Sequence, residues 1–178
     1  LASSENSEKK ENQKIQKNLK NLDSETQKRV FQRDFSALAI QKSNFQLAVK
    51  TENQIVEFDQ SIRNAGDGTA PCPVSMLLSA FAACLEMNWI ALLSISKISV
   101  ESVKVNVQGY LDGRYNLRQP EIPPRLYELE ITSIIRTPTP RNKLEKLYKK
   151  AISMCPVGGS LHEKIRKRYL LRIEKNQN

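Results

Sequence analysis

Histidine occurs once, at position 162, and glycine only six times in 178 residues. A single histidine excludes His-rich metal sites, and a Ser-His-Asp enzyme would rest on His162 alone. The glycines form neither GxGxxG nor GxxxxGKS/T, so both nucleotide-phosphate fingerprints are missing. Three cysteines, an odd number, exclude a fully paired secreted framework. No CxxC occurs, and a Cys/His zinc site needs four ligands, so zinc is not expected. There is no RNP-type aromatic motif, zinc knuckle or helix-turn-helix signature, so nucleic acid is not expected as a specific ligand.

What is present suits one domain plus a tail. Hydrophobic residues make up 39% of the chain, enough to bury a core without staples. The net charge of +9 is uneven. Residues 1–33 hold 8 basic and 5 acidic side chains, residues 34–135 hold 8 and 11, and residues 136–178 hold 12 and 3. Such a basic end attracts phosphates, anionic lipid or an acidic protein. The chain starts at Leu1, and Leu1-Ala2-Ser3-Ser4 leads into no apolar run, so it is not read as a signal peptide. The missing methionine and the Lys/Asn-rich start make the mitochondrial matrix the expected location, with the cytoplasm as the alternative.

Residues 1–22 are almost all Ser, Glu, Asn, Lys and Gln, too polar to offset the entropy of ordering. Residues 1–38 are therefore read as a polar basic extension, flexible or partner-bound. Ser24 with Gln27 suggests a capping box that opens a helix over 25–38, with Val30, Phe31, Phe35 and Leu38 on one face. The domain proper is expected over 39–178. Residues 45–50 and 55–59 read as strands and 64–68 as a loop. Pro73 is well placed to start a helix. From Val74 to Ser96 the one charge is Glu86. That run is long enough to cross a membrane, but a central Glu86 would cost about 2.5–3.5 kcal/mol on insertion. It is read as a central core helix, apolar on nearly every side, and no transmembrane segment is expected.

Val103, Val105 and Val107 alternate as a strand, and 109–124 reads as a long connection. Tyr127, Leu129 and Ile131 alternate again and run into Ile134-Ile135. Thr139-Pro140 looks like an N-cap and first-turn proline. The helix it opens carries Leu144, Leu147, Tyr148, Ala151, Ile152 and Cys155 as one stripe, ending where Pro156 disfavours helical geometry. Ser160 with Glu163 suggests a short helix to Lys167, and Tyr169, Leu171 and Ile173 a last strand. Helices do not alternate one-to-one with strands, so the pattern is α+β.

Cys84 falls within the apolar helix and Cys155 on the stripe of the next long one. Two inward cysteines can meet, which thiol–disulfide chemistry requires. They can equally be small hydrophobes that pack. Cys72, between Pro71 and Pro73, is either a third redox thiol or an incidental loop cysteine. Glu86 is either a buried acid with a role or a side chain reaching a basic partner or the helix edge.

The run Gly68-Thr69-Ala70-Pro71-Cys72-Pro73-Val74-Ser75-Met76-Leu77, leading to Ala83-Cys84, resembles the helix-entry motif of the OsmC/Ohr family. Cys155-Pro156-Val157-Gly158-Gly159-Ser160-Leu161 is similar to that family's second cysteine motif. The resemblance covers about residues 40–175. It implies antiparallel sheets wrapped around two central helices in an intertwined homodimer. It implies a thiol-dependent peroxide reductase: Cys84 attacks an organic hydroperoxide or hydrogen peroxide, and Cys155 resolves the sulfenic acid as a disulfide. A dithiol reductant would restore both thiols, with no metal or organic cofactor. The family's activating arginine is held by a glutamate ten residues before the first cysteine. That position here is Val74, followed by Ser75, and the nearest preceding basic residue is Arg63. The alternative is therefore a non-catalytic subunit of this fold, joined to a larger assembly through the N-terminal arm and the basic C-terminal region.

Overall fold

The computed structural model describes residues 21–117 and 121–174. The arm expected over 1–22 lies almost wholly outside these residues, as does part of the 109–124 connection. The chain divides into two compact units. One includes the chain up to Lys42 and Leu47–Glu57; the other holds Ser43–Gln46 and everything from Phe58 onward.

In the first unit, helix α1 spans Ser24–Phe31. Its cap is Asp23, whose carboxylate accepts from the Glu25 and Thr26 N–H groups, and not Ser24. The helix stops seven residues before Leu38, which opens strand β1 (Leu38–Ser43). The correction has a simple cause: Val30, Phe31 and Phe35 find no cover and stay exposed, so packing does not extend so short a helix. Strands β2 (Gln46–Lys50) and β3 (Ile55–Phe58) complete a three-stranded sheet ordered β1-β2-β3. Phe45 belongs to the two-residue turn between β1 and β2, beside Asn44 at φ 44°.

The second unit carries the core. Helix α2 spans Pro73–Ile95, with Pro73 in its first turn. Strand β4 (Ser102–Leu111) pairs antiparallel with β5 (Leu126–Arg136), bringing Val107 opposite Ile131. β4 outruns the expected 103–107 because pairing with an eleven-residue β5 holds it in the ladder until a register shift at Tyr110/Leu111. Helix α3 (Arg141–Ser153) and the short α4 (Pro156–Ser160) lead to strand β6 (Arg166–Glu174). β6 lies parallel to β5, so this sheet is mixed where antiparallel sheets were expected. The α3–α4 crossover is long enough to return the chain in the same direction. The α+β class holds.

One face of the mixed sheet is dry. Leu129, Ile131 and Ile135 of β5 are fully buried with Phe81, Leu85 and Trp89 of α2 and Leu144 of α3. Burying each such side chain contributes about 1.5–3 kcal/mol. Tyr148 tilts against Trp89 with ring centroids 5.3 Å apart, and Ser133 donates to the Tyr148 hydroxyl at 2.9 Å. Gly109 lets helix and strand approach: a Cβ there would lie 3.0 Å from Leu78.

Several local readings are revised. α2 is long and apolar enough to cross a membrane by length and composition, yet it lays one face on the core and leaves Met87 and Ile95 70% and 77% exposed. It is therefore not covered on every side. Pro140, not Thr139, occupies the N-cap of α3, because Thr139 instead joins the Thr137 hydroxyl. α3 ends at Ser153, so Cys155 is not on its stripe; it caps α4. Ser160 closes α4 and opens no helix, and its hydroxyl donates back to Pro156 O. The cations at 166–168 consequently lie on β6, where pairing with β5 wins over a local capping pattern.

Candidate functional site: a thiol pair between two helices

The two expected cysteines, 71 positions apart in the chain, meet. The Cys155 thiol donates to Cys84 Sγ across 3.3 Å. Both thiols are free. Cys84 comes from the middle of α2, three residues after the buried Phe81, and is half-buried. Cys155 is buried, held at the point where α3 has ended and Pro156 starts α4. A proline at the first helical position has no N–H to leave unsatisfied, and it forces Cys155 into the extended geometry of a cap.

Cys155 Sγ also accepts from the Gly158 N–H at 3.3 Å. This contact needs a glycine. A Cβ on Gly158 would stand 2.7 Å from the Phe81 ring and 3.4 Å from Cys155 Sγ. Burial pushes the Cys155 thiol up from its ordinary value; the Gly158 amide pulls it back, and the Cys84 sulfur adds a further upward push. Burial therefore disfavours the thiolate form of Cys155.

Asn88 was not apparent as part of the site. It lies one turn beyond Cys84 on the same face of α2 and donates to Met154 O at 3.1 Å. That bond fastens the main chain immediately before Cys155 to the helix that carries Cys84. Its i, i+4 spacing was the available signal. Gly158 could have been found only by knowing what sits opposite it.

The remaining candidates separate. Glu86 accepts from the Val105 N–H of β4 at 3.2 Å, so its partner is a main-chain amide and not a basic side chain. Cys72 is the N-cap of α2, twelve residues and about 18 Å of helix rise from Cys84. The Ser75 hydroxyl, 3.3 Å from Cys72 Sγ, holds that thiol below its ordinary value. His162 follows α4 and accepts from the Lys164 N–H at 3.0 Å. Arg63 lies on an exposed turn over Ile62–Asn64. Val74 lines an apolar chamber of about 580 Å³ with Leu77, Leu126, Leu161, Arg125 and His162. Among the described residues, no cation is hydrogen-bonded to either sulfur of the pair.

Comparison with known proteins identifies the family and the fold. The family model for OsmC-like protein matches residues 66–168, which span α2, both cysteines and the opening of β6. No curated protein matches the chain. Among solved structures, an OsmC-like protein from Mycoplasma pneumoniae superposes with a TM-score of 0.68 at 14% identity, covering 83% of this chain and 100% of that one. An organic hydroperoxide resistance protein OsmC from Legionella pneumophila gives 0.63 at 22% identity, over 79% and 97%. An organic hydroperoxide resistance protein from Elizabethkingia anophelis gives 0.61 at 17%, over 82% and 98%. At these identities the likeness is one of fold.

Proposed function

Because the chain belongs to the OsmC-like protein family, we propose that it is a thiol-dependent peroxide reductase whose working groups are Cys84 and Cys155. The observation that carries this reading is the 3.3 Å approach of the two sulfurs. Of the two, Cys155 is buried and Cys84 only half-buried, so Cys84 is the sulfur a peroxide can reach. Cys84, as thiolate, attacks the distal oxygen of a hydroperoxide. The O–O bond breaks, Cys84 becomes a sulfenic acid, and the departing alkoxide takes a proton to leave as the alcohol. The Cys155 sulfur then attacks the sulfenic sulfur. A disulfide forms, and the lost hydroxyl departs as water with the Cys155 proton. A dithiol reduces the disulfide and is itself oxidised. The substrate in this reading is an organic hydroperoxide or hydrogen peroxide; neither sulfur lines the apolar chamber at the start of α2.

A second copy of the chain is part of this reading. Leu77, Met87, Ile90 and Ile95 on the open face of α2 are 41%, 70%, 47% and 77% exposed. An apolar helix face of that extent calls for cover.

Intact mass after stoichiometric cumene hydroperoxide is the test. The wild-type chain is expected to lose two hydrogens and to regain them with dithiothreitol. Cys84→Ser should show neither change, and Cys155→Ser should gain one oxygen. An unchanged wild-type mass overturns the reading and leaves the alternative, a non-catalytic subunit of the same fold. That alternative is favoured by Val74, which puts an apolar wall where the family has its glutamate.

A further inference from the structure

The basic end of the chain is folded into an open sheet edge. β6 is the outer strand of the order β4-β5-β6. Glu174 O accepts from the Thr137 N–H, just beyond β5. Main-chain groups alternate sides along a strand, so those of Lys167, Tyr169, Leu171 and Ile173 turn away from β5. Leu171 O receives the Arg141 guanidinium at 3.3 Å; among the described residues no strand pairs on that side. At nine residues β6 is long for an unprotected edge.

A groove of about 320 Å³ runs between this edge and α3, with Tyr148, Ile152 and Tyr169 in it and Arg141, Glu145 and Lys149 along it. Glu145 is already taken by Arg141 at 2.7 Å. On the outer face of the sheet the register sets Arg166 opposite Glu128 and Arg168 opposite Glu130, and both are ion pairs. Arg172 stands opposite Ile134 and has no such acid. Lys146, Lys149 and Lys150 of α3 are exposed. A second β6 laid alongside would set cation against cation. The chain's own first 33 residues carry the same sign, 8 basic against 5 acidic. Only an acidic strand reverses that repulsion.

We propose that the β6 edge docks an extended acidic segment of another protein, which joins the sheet as an added strand. Its main chain pairs with the outward groups of Lys167, Tyr169 and Ile173, and with Leu171 once Arg141 releases Leu171 O. Alternate apolar residues enter the groove beside Tyr148 and Tyr169, and an intervening acidic residue faces Arg172 on the outer surface. The proposal does not depend on the redox reading.

The test is fluorescence anisotropy of the full chain with a short labelled peptide of alternating valine and glutamate. Saturable binding is expected. Lysine in place of glutamate, or N-methyl groups on alternate residues, should weaken it about tenfold or more. Arg172→Glu should weaken it about fivefold while Arg172→Lys retains it. The thermal midpoint of each variant separates misfolding from lost contact. Amide NMR shifts should concentrate at Tyr169, Leu171 and Ile173. Absence of binding, equal binding of the lysine or N-methylated peptide, or displacement by a single-stranded RNA overturns the proposal, the last in favour of a nucleic-acid surface.

Discussion

Strands β2 and β4 carry the same alternation, Leu47 and Val49 on one and Val103, Val105 and Val107 on the other. Their sheets end in different surroundings. No residue of β1, β2 or β3 is buried, and Leu38 and Ile55 stay 60% and 61% exposed. In the second sheet Leu129, Ile131 and Ile135 are sealed under α2 and α3. An alternating strand therefore specifies which side is apolar, while the cover for that side comes from elsewhere in the chain or from a second copy. The contrast also separates two energetic regimes. Core positions of the β4–β6 sheet are set by packing, whereas the β1–β3 sheet stands on main-chain pairing and surface contacts.

The largest expected difference comes from truncating the two sheets alike. Ile131→Ala should lower unfolding free energy by about 2–5 kcal/mol in urea melts, and Ile55→Ala by about 0.5 kcal/mol or less. If the Ile55 variant loses as much as the Ile131 variant, and the loss shrinks at higher protein concentration, a second copy covers the first sheet. Next comes the glycine under the thiol pair. Gly158→Ala pushes a Cβ into Phe81 and should destabilise by about 1–3 kcal/mol. It should also slow disulfide formation between Cys84 and Cys155, read by intact mass; unchanged stability and rate would mean the α4 turn gives way freely.

A smaller effect is expected at Asp59, which is buried just after β3. It accepts from the Thr69 N–H and hydroxyl, both at 2.9 Å, and from the Gln60 N–H at 2.7 Å. The Thr69 amide chiefly holds its carboxyl below the usual carboxylate range. A lowered folded value means the stabilisation is complete above the ordinary carboxylate pKa. It is lost as pH falls through the folded one. Wild type should then exceed Asp59→Asn in urea midpoint at pH 6, and the gap should close towards pH 2. A gap independent of pH would point to packing instead. The smallest effect belongs to the surface of the first sheet. Lys42 and Glu57 pair at 3.0 Å with both side chains half exposed, so Glu57→Gln should change stability by about 0.5 kcal/mol or less.

Much of this architecture could be read from residues alone. Pro73 and the uninterrupted apolar run locate α2, and valines at every second position locate β4. The approach of Cys84 to Cys155 was expected, but through the wrong element: Cys155 was read on a helical stripe and is a cap. Its i+11 position from Leu144 continued the stripe numerically, while Pro156 broke the helix two residues sooner than the pattern required. Ser160 and Glu163 matched a capping box, yet the segment following them paired with β5, because a nine-residue ladder outweighs one local cap.

Local chemistry was enough to decide that the chain makes an apolar helix carrying Cys84, amphipathic strands and a proline-marked Cys155, because propensity and periodicity act over a few neighbouring residues. Which face of α2 is covered, that β6 runs parallel to β5, and that Gly158 aims its amide at a sulfur were settled by folding. These depend on groups far apart in the chain competing for the same buried space, and no short window of residues records the outcome of that competition.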